Sequence, residues 1–293
     1  MRPALFLVVY SDLDGTLLDH DRYDWAPATP ALDRLRDLGV PLVLSSSKTR
    51  AEIERWRERL GNRAPFICEN GGALYIPEGA LTHPPAEAER EAGYRRVEYG
   101  APHDELRKVL ERIARRLDLP LRGFSSLPRE ELARRTELAG EDLDLALRRE
   151  YDEPFVAEPG LGPEEEARLR AEVRKRGLRV TKGGRFYHLL GANSKARAAA
   201  DLTAAYAREW GTVTTAALGD GPNDLELLRA AAHPVVVARP DGSHAPELSA
   251  GIPRAYFARG VGPHGFAEGV FHVLSRLLTE APARKGPDAR GQG

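Results

Sequence analysis

The chain of 293 residues carries 43 Lys and Arg against 44 Asp and Glu, a formal net charge of -1, and a single cysteine, Cys68. Near-neutral charge leaves no electrostatic footprint for a nucleic acid, and one cysteine cannot build a disulfide framework within the chain, which suits a reducing cytoplasm. The length fits one large or two modest domains, and no segment approaches the span of a bilayer, so neither nucleic acid nor membrane is an expected partner.

Residues 4–10 form an apolar run of strand character that leads into Asp12-Leu13-Asp14-Gly15-Thr16. The run is short and ends at Asp12 rather than at a small-residue cleavage site, so it reads as a buried strand and not as the core of a signal peptide. Carboxylates at the carboxyl end of a buried strand stand where open α/β sheets do chemistry. In extended backbone, residues two apart point the same way, so Asp12 and Asp14 can address one small volume, while Gly15 supplies a tight turn that a phosphate can approach. The local alternative is a strand that ends in an Asp-Gly turn.

A helix over 30–38 and a strand over 41–44 follow, and the strand runs into Ser45-Ser46-Ser47-Lys48-Thr49-Arg50-Ala51-Glu52. Thr49 and Glu52 have capping-box spacing for a helix over 51–60 that stops near Gly61. The serines therefore sit at a strand end beside the aspartates, with Ser46 the expected phosphate ligand and ordinary loop serines the alternative. A third strand, Phe66–Cys68, precedes Glu69-Asn70-Gly71-Gly72.

From about residue 85 the composition turns heavily charged, with helical periodicity in Leu106, Val109, Leu110, Ile113 and Leu117 and again over 164–176. Short strands are expected at 95–99, 155–157, 179–181 and 186–190, which makes 85–190 an α+β insertion. Within it, residues 180–188 read as two strands joined at Gly183-Gly184, presenting Lys182 and Arg185 at the tip. Such a tip is either a second anion clamp, suited to a carboxylate, or a solvated basic hairpin.

The βα rhythm returns at Ser194, which caps a helix over 196–206 and places Lys195 in a first helical turn. A lysine there opposes the helix dipole, a local disadvantage that points to a nearby anion. A strand over 214–218 runs into Gly219-Asp220-Gly221-Pro222-Asn223-Asp224. Pro222 suits a first helical turn, so Asp220 lies in the loop and Asp224 just inside the helix, where the dipole alone already favours an acid. A strand over 233–237 and a helix over 266–278 complete a core made of 1–84 and 191–280, and 281–293 read as a disordered tail. The expected fold class is α/β, a doubly wound parallel sheet with an inserted α+β cap.

Asp12-Leu13-Asp14-Gly15-Thr16 near one end with Gly219-Asp220-Gly221-Pro222-Asn223-Asp224 near the other resembles the haloacid dehalogenase-like phosphohydrolase superfamily. The resemblance implies that Asp12 is a nucleophile forming an aspartyl-phosphate and that Asp14 is the general acid and base. It also implies that Asp12, Asp14 through its carbonyl, and Asp220 hold magnesium with Asp224 beside them, and that Lys195 pairs with Asp12 and the transferring phosphate. The physical logic agrees, because a carboxylate attacks an anion-shielded phosphorus only when a hard cation neutralises both, and magnesium takes oxygen ligands.

The insertion resembles the large C2-type cap of one superfamily branch, which closes over the nucleophile and admits small phosphorylated molecules rather than phosphoproteins. Four segments, 46–52, 69–73, 149–153 and 181–188, are together similar to the narrower family of mannosyl-3-phosphoglycerate phosphatases. Ser47-Lys48-Thr49 departs from the Thr-Gly-Arg-like pattern of the wider superfamily while matching this family. That likeness implies a phosphorylated glycoside with a carboxylate on its glycerate part, one anion site in the core and another on the cap. It places Ser47, Lys48, Thr181, Lys182, Arg185 and His188 around the substrate, with Asn70 and Gly71 near the entrance unless they form a plain Asn-Gly turn. A phosphatase for another sugar phosphate, or a phosphomutase, would share the core residues, whereas a non-catalytic phospho-ligand-binding module should have lost Asp12 or Asp14 first. Nothing in the residues speaks to oligomeric state or to a glucosyl analogue.

Overall fold

The computed structural model describes residues 6–183 and 186–280. Ala4 and Leu5 of the first expected strand, Gly184 and Arg185 of the hairpin tip, and the 281–293 tail lie outside the described residues.

The first strand, β1 (Leu7–Ser11), is buried at every position, as a continuous apolar run requires of a strand covered on both faces. It is followed by α1 (Thr29–Asp37), β2 (Leu42–Ser45), α2 (Arg50–Leu60), β3 (Phe66–Cys68) and β4 (Ala73–Pro77). Helix α2 starts at the expected capping box between Thr49 and Glu52 and stops at Gly61 in the left-handed region, φ 61°. The strands β5 (Glu89–Glu91) and β6 (Tyr94–Glu98) make a hairpin that joins β4 through β6. The strand over 95–99, which the sequence assigns to the insertion, is thus part of the large sheet, and the chain leaves that sheet near 99 rather than at 85. Its charge misleads because β5 is the edge of the sheet and β6 lies next to it, where most side chains stay at least partly open to solvent.

The inserted part holds α3 (His103–Leu117), β7 (Leu121–Gly123), α4 (Arg129–Thr136), α5 (Gly140–Ala146), β8 (Asp152–Ala157), α6 (Pro163–Arg174), β9 (Arg179–Lys182) and β10 (Tyr187–Leu190). Its strands form an antiparallel sheet in the order β7-β8-β10-β9. Leu106, Leu110 and Ile113 of α3 and Leu169 and Val173 of α6 pack on Phe155 and Leu189, the apolar stripe that the 3.6-residue period marks. On the other face, Leu132 of α4 and Leu143 of α5 cover Val156. These two helices are short and bury few side chains, which left them without a periodic signal.

The chain then returns through α7 (Lys195–Trp210), β11 (Thr214–Gly219), α8 (Leu225–Ala230), β12 (His233–Ala238), α9 (Pro246–Gly251), β13 (Tyr256–Val261) and α10 (Pro263–Glu280). The large sheet runs β13-β12-β11-β1-β2-β3-β4-β6-β5, parallel from β13 to β3 and antiparallel beyond. Its side chains alternate between two layers: Leu7, Val9 and Leu44 pack toward α1, α2 and α10, and Val8, Tyr10 and Val43 toward α7, α8 and α9. Helices on both faces of a parallel sheet make this a doubly wound α/β fold, and β1 lies between β2 and β11 so that their carboxyl ends meet.

The cap sits on the loop after β3. Glu69 and Asn70 both adopt positive φ, 47° and 56°, and Gly71 follows at 87°. The buried Glu69 carboxyl accepts the backbone N–H groups of Glu150 (3.0 Å) and Tyr151 (2.9 Å), and the Gly72 carbonyl accepts those of Tyr99 and Gly100, both 2.9 Å. A Cβ on Gly71 would lie 2.2 Å from the Ser194 carbonyl carbon, and one on Gly72 2.4 Å from Tyr151 Cβ, so both glycines are fixed by close approach of the chain.

Burial pushes the Glu69 carboxyl up to about 8 from an ordinary 4.5, with Arg149 opposing the rise and Asp152 adding to it. Between those two pH values the folded state holds a proton that the unfolded state has lost, so this group's contribution to stability is complete below the unfolded value and falls as pH rises through the folded one. Relative to Glu69→Gln, the wild type should lose on the order of 3 kcal/mol between pH 5 and 8.5, read from urea unfolding at the two pH values. Parallel pH dependence of the two proteins would show that Glu69 does not carry this linkage.

Candidate active site

Asp12 extends β1 by one residue, donating its N–H to the Leu218 carbonyl at 3.0 Å. The chain then turns back on itself, with Gly15 N–H on the Leu18 carbonyl (2.9 Å) and Leu18 N–H on the Leu13 carbonyl (2.8 Å). Gly15 has φ 74°, and a Cβ there would stand 2.7 Å from Asp220 Oδ2, so the glycine meets both a conformational and a steric demand. Thr16 Oγ1 donates to Asp220 Oδ1 at 2.9 Å, which ties the turn after β1 to the loop after β11.

Lys195 opens α7, and the Ser194 hydroxyl caps that helix by accepting the Arg197 N–H. The lysine side chain is 1% exposed, with Nζ 3.0 Å from Asp12 Oδ1 and 2.7 Å from Asp224 Oδ1. The anion that its unfavourable helix position called for is therefore a pair of carboxylates. Asp224 ends a short 3-10 turn, Pro222–Asp224, and its other oxygen accepts the Gly221 N–H at 3.3 Å. Its carboxylate is thus engaged by protein donors at both oxygens, which goes beyond what a helix dipole would ask of it.

Oxygens of Asp12, Asp220 and Asp224 all lie within 4.8 Å of one another. Burial and then the Asp224 charge push the Asp12 carboxyl up to about 7 against the pull of Lys195. Burial, with Asp12 and Asp224 adding to it, raises Asp220 well above the carboxylate range. Burial would depress the Lys195 ammonium, but Asp12 and Asp224 lift it above its usual value. One ammonium thus faces three crowded carboxylates. Asp14 adds a buried Oδ1 that has no partner among the described residues. An all-oxygen set short of positive charge fits a hard divalent cation.

Asp14 Oδ2 pairs with Lys48 Nζ at 3.0 Å, and Lys48 also lies 3.6 Å from Glu52 and over the Tyr23 ring. Burial works against the Lys48 charge, yet Asp14 and Glu52 raise it above its ordinary value. Ser46 is 1% exposed and its Oγ accepts the Lys48 N–H at 3.2 Å; Ser47, not Ser46, lines the cavity above the aspartates. That cavity, 460 Å³, is floored by Asp12, Asp14 and Asp220 and roofed by Phe124, Arg149, Lys182 and His188. The hairpin expected from the sequence is present as β9 and β10, with Lys182 exposed at its end. Thr181 lies off the main cavity and lines an adjoining hollow of 360 Å³ with Asn70, Lys182 and Lys195. Asn70 and Gly71, expected near the substrate entrance, are buried, and besides lining that hollow Asn70 supports the cap: its Nδ2 donates to Asp152 (3.0 Å) and its Oδ1 accepts from Asn223 Nδ2 (3.2 Å). An Asn-Gly pair signals a turn, and nothing local reveals that a second chain segment lies against it.

Arg149 is the residue that sequence reasoning missed. Its side chain, 8% exposed, lines the cavity, with Nη1 donating to the Ser47 carbonyl (2.7 Å) and Nε to the Ala146 carbonyl (3.0 Å). Neutralising partners, chiefly Asp152, hold it charged against burial. The segment 149–153 carries a family likeness, but an arginine in the connection between α5 and β8 has no local mark of function. Arg239, following β12, also reaches the cavity wall.

Lys195→Met should leave Asp12 and Asp224 buried without their counter-charge and cost about 3–5 kcal/mol in the absence of divalent cations, measured by urea unfolding. Millimolar magnesium should return part of that loss if the cluster binds a cation. Undiminished stability in Lys195→Met would remove the charge-balance argument.

The comparisons with known proteins agree with this geometry. A family model described as haloacid dehalogenase-like hydrolase matches residues 9–85. The chain is 36% identical over 269 residues to the glucosyl-3-phosphoglycerate/mannosyl-3-phosphoglycerate phosphatase of Methanococcoides burtonii, covering 92% of this chain and 97% of that one. It is 33% identical to the protein of the same name from Persephonella marina, over 92% of this chain and 98% of that one. Among solved structures, the sucrose-phosphatase of Synechocystis sp. PCC6803 superposes with a TM-score of 0.61 at 17% identity, over 92% of this chain and 98% of that one. A Thermoplasma acidophilum protein does so with 0.63 at 16%, over 94% and 99%, and at such identities the likeness speaks to the fold. Near-full-length identity to two curated phosphatases, on a doubly wound core with an inserted cap, means that the chain belongs to the haloacid dehalogenase-like hydrolases and, within them, to the glucosyl-3-phosphoglycerate/mannosyl-3-phosphoglycerate phosphatase family of phosphoric monoester hydrolases.

Proposed function

We propose that this phosphatase hydrolyses mannosyl-3-phosphoglycerate, and its glucosyl analogue, to the glycosylglycerate and phosphate, in a cytoplasmic setting. The observation that carries the reading is the contact of Lys195 with both Asp12 and Asp224 beneath a roofed cavity of 460 Å³. That volume is in the range of cavities that bury a small ligand, ~300–1,000 Å³. The shared name of the two relatives supports the substrate, as do an acidic floor and a roof bearing Arg149, Lys182 and His188. Among the described residues no helix is long and apolar enough to cross a membrane.

In this reading Asp12 attacks phosphorus, the bond from phosphorus to the glycerate oxygen breaks, and Asp14 gives its proton to the departing alkoxide. Asp14 then takes a proton from the water that attacks phosphorus and releases Asp12. Asp14 suits that task because it lines the cavity and keeps Oδ1 without a partner among the described residues while Lys48 holds Oδ2. Lys195 and a serine of the loop after β2 are proposed to hold phosphate oxygens, Ser46 by the sequence motif or its neighbour Ser47, which lines the cavity, with Lys48, Thr181, Lys182, Arg185 and His188 around the rest of the substrate. Magnesium is the proposed cation, held by Asp12, Asp220 and the Asp14 carbonyl with Asp224 behind them, and when bound it would supply the positive charge that lets an anion approach an anion.

The reading is tested by magnesium-dependent phosphate release from a panel of phosphorylated glycerates and sugars, where the glycosyl-3-phosphoglycerates should be preferred by about a hundredfold or more in kcat/KM. Equal turnover of simple sugar phosphates would point to a broader sugar phosphatase, and transfer to a sugar to a mutase. Asp12→Asn should abolish turnover and leave the fold intact. Asp14→Asn should damage the glycerate ester far more than p-nitrophenyl phosphate, whose leaving group needs no proton. Equal damage to both would assign Asp14 to the metal or the fold.

A further inference from the structure

A buried acid in the cap does work that neither the catalytic aspartates nor the cap hairpin explains. Asp152 is fully buried on β8, and its carboxylate meets His188 Nδ1 at 2.8 Å, Asn70 Nδ2 at 3.0 Å and Arg149 Nη1 at 3.7 Å. In the register of the cap sheet His188 stands opposite Pro154 and Leu190 opposite Asp152, so Asp152 and His188 are diagonal neighbours on one face. His188 is 5% exposed and lines the catalytic cavity. With Nδ1 turned to Asp152, the opposite ring edge carries Nε2, which has no hydrogen-bond partner among the described residues.

Gly183 explains why that edge stays open. A Cβ at position 183 would lie 3.1 Å from His188 Nε2, a close contact that would cover the nitrogen. Gly183 is not among the glycines in the left-handed region, so its need is for space rather than for backbone freedom.

We propose that Asp152 is a positioning residue that fixes the His188 ring with Nε2 presented to the cavity as a donor to the substrate's carboxylate, through the opening that Gly183 leaves. The inference rests on the glycerate substrate proposed above. Asp152 accepts the proton on Nδ1 and so fixes the ring orientation, and a carboxylate arriving at the opposite edge would be met by a proton on Nε2. The carboxylate oxygen then accepts a charge-assisted hydrogen bond from a ring that cannot rotate away.

The test compares kcat and KM on a glycosyl-3-phosphoglycerate and on the analogue in which CH2OH replaces the carboxylate. The wild type should show a KM about tenfold or more lower for the carboxylate ester. Asp152→Asn and His188→Gln should each erase that difference by raising KM for the carboxylate ester alone, with kcat held within about twofold. Gly183→Ala should do the same by covering Nε2 while Asp152 itself is unchanged, which keeps the idea testable if Asp152→Asn does not fold. Loss on both esters, or a fall in kcat in Asp152→Asn, would make Asp152 a structural anchor and overturn the positioning role. Undisturbed discrimination in His188→Gln and Gly183→Ala would overturn it equally. A wild type that treats the two esters alike would overturn the carboxylate-bearing substrate itself, an outcome distinct from either of those.

Discussion

The contact of Lys195 with Asp12 and Asp224 is the interaction on which the site depends. Two buried carboxylates without a counter-charge would cost several kcal/mol, and this single ammonium reaches both. It does not finish the task, because Asp220 stands beside them and both Asp12 and Asp220 are pushed toward their neutral forms. A site that its own residues leave short of positive charge is prepared for a divalent cation and prefers one that binds oxygen. Lys195 is also the first residue of α7, reached as soon as the chain returns from the cap. The charge balance of Asp12 and the seating of the cap are therefore set at one point of the backbone.

The same point explains the loop after β3. Ser194 passes so close to Gly71 that no side chain fits between them, and Tyr151 lies against both Gly72 and Gly100. Glu69 and Asn70 add polar contacts from the same few residues, to the backbone of 150–151 and to Asp152. The segment Glu69-Asn70-Gly71-Gly72 thus acts as the socket of the cap, with polar groups that fix orientation and glycines that permit contact. A cap held this way is aligned to the core by backbone packing, and its position over Asp12 follows from the fold of the loop.

How much of this was legible in the sequence depended on whether the signal was local. The strand ahead of Asp12, the capping box at Thr49 and Glu52, the hairpin of β9 and β10 and the α3 stripe all arise from neighbours in the chain, and periodicity or spacing exposes them. The meeting of Lys195 with Asp12 was hinted at because a lysine in a first helical turn needs a reason. The cap contacts of Asn70 and Gly71 are not legible because their partners, Asp152, Asn223 and Ser194, are distant in sequence and an Asn-Gly pair by itself signals only a turn. Residues 85–99 read as part of the insertion because a rise in charge looks like a boundary, whereas strands at or next to a sheet edge are charged for their own reasons. Arg149 passed without a role since burial, the property that sets it apart, has no signature in an arginine-rich segment.

The division of charge between the two parts limits what the cavity can accept. The floor is acidic, so a substrate's anions must be met either by a cation bound there or by the roof. Of the cationic groups available, Lys48 is committed to Asp14 and Glu52, and Arg149 already donates to the Ser47 and Ala146 carbonyls. Withdrawing either from its partners would strand a buried carboxylate or unseat the cap from the loop that carries the serines. Among the described residues, this leaves Lys182, exposed at the end of β9, and the Nε2 edge of His188 as the cap groups that can meet a second anion without dismantling the first site. Both lie on or at the end of paired cap strands, so the place where a carboxylate can be met is set by the register of β9 and β10, while the place of the aspartate cluster is set by β1 and β11. The socket at 69–72 fixes the distance between the two, which is the length of molecule that can satisfy both at once.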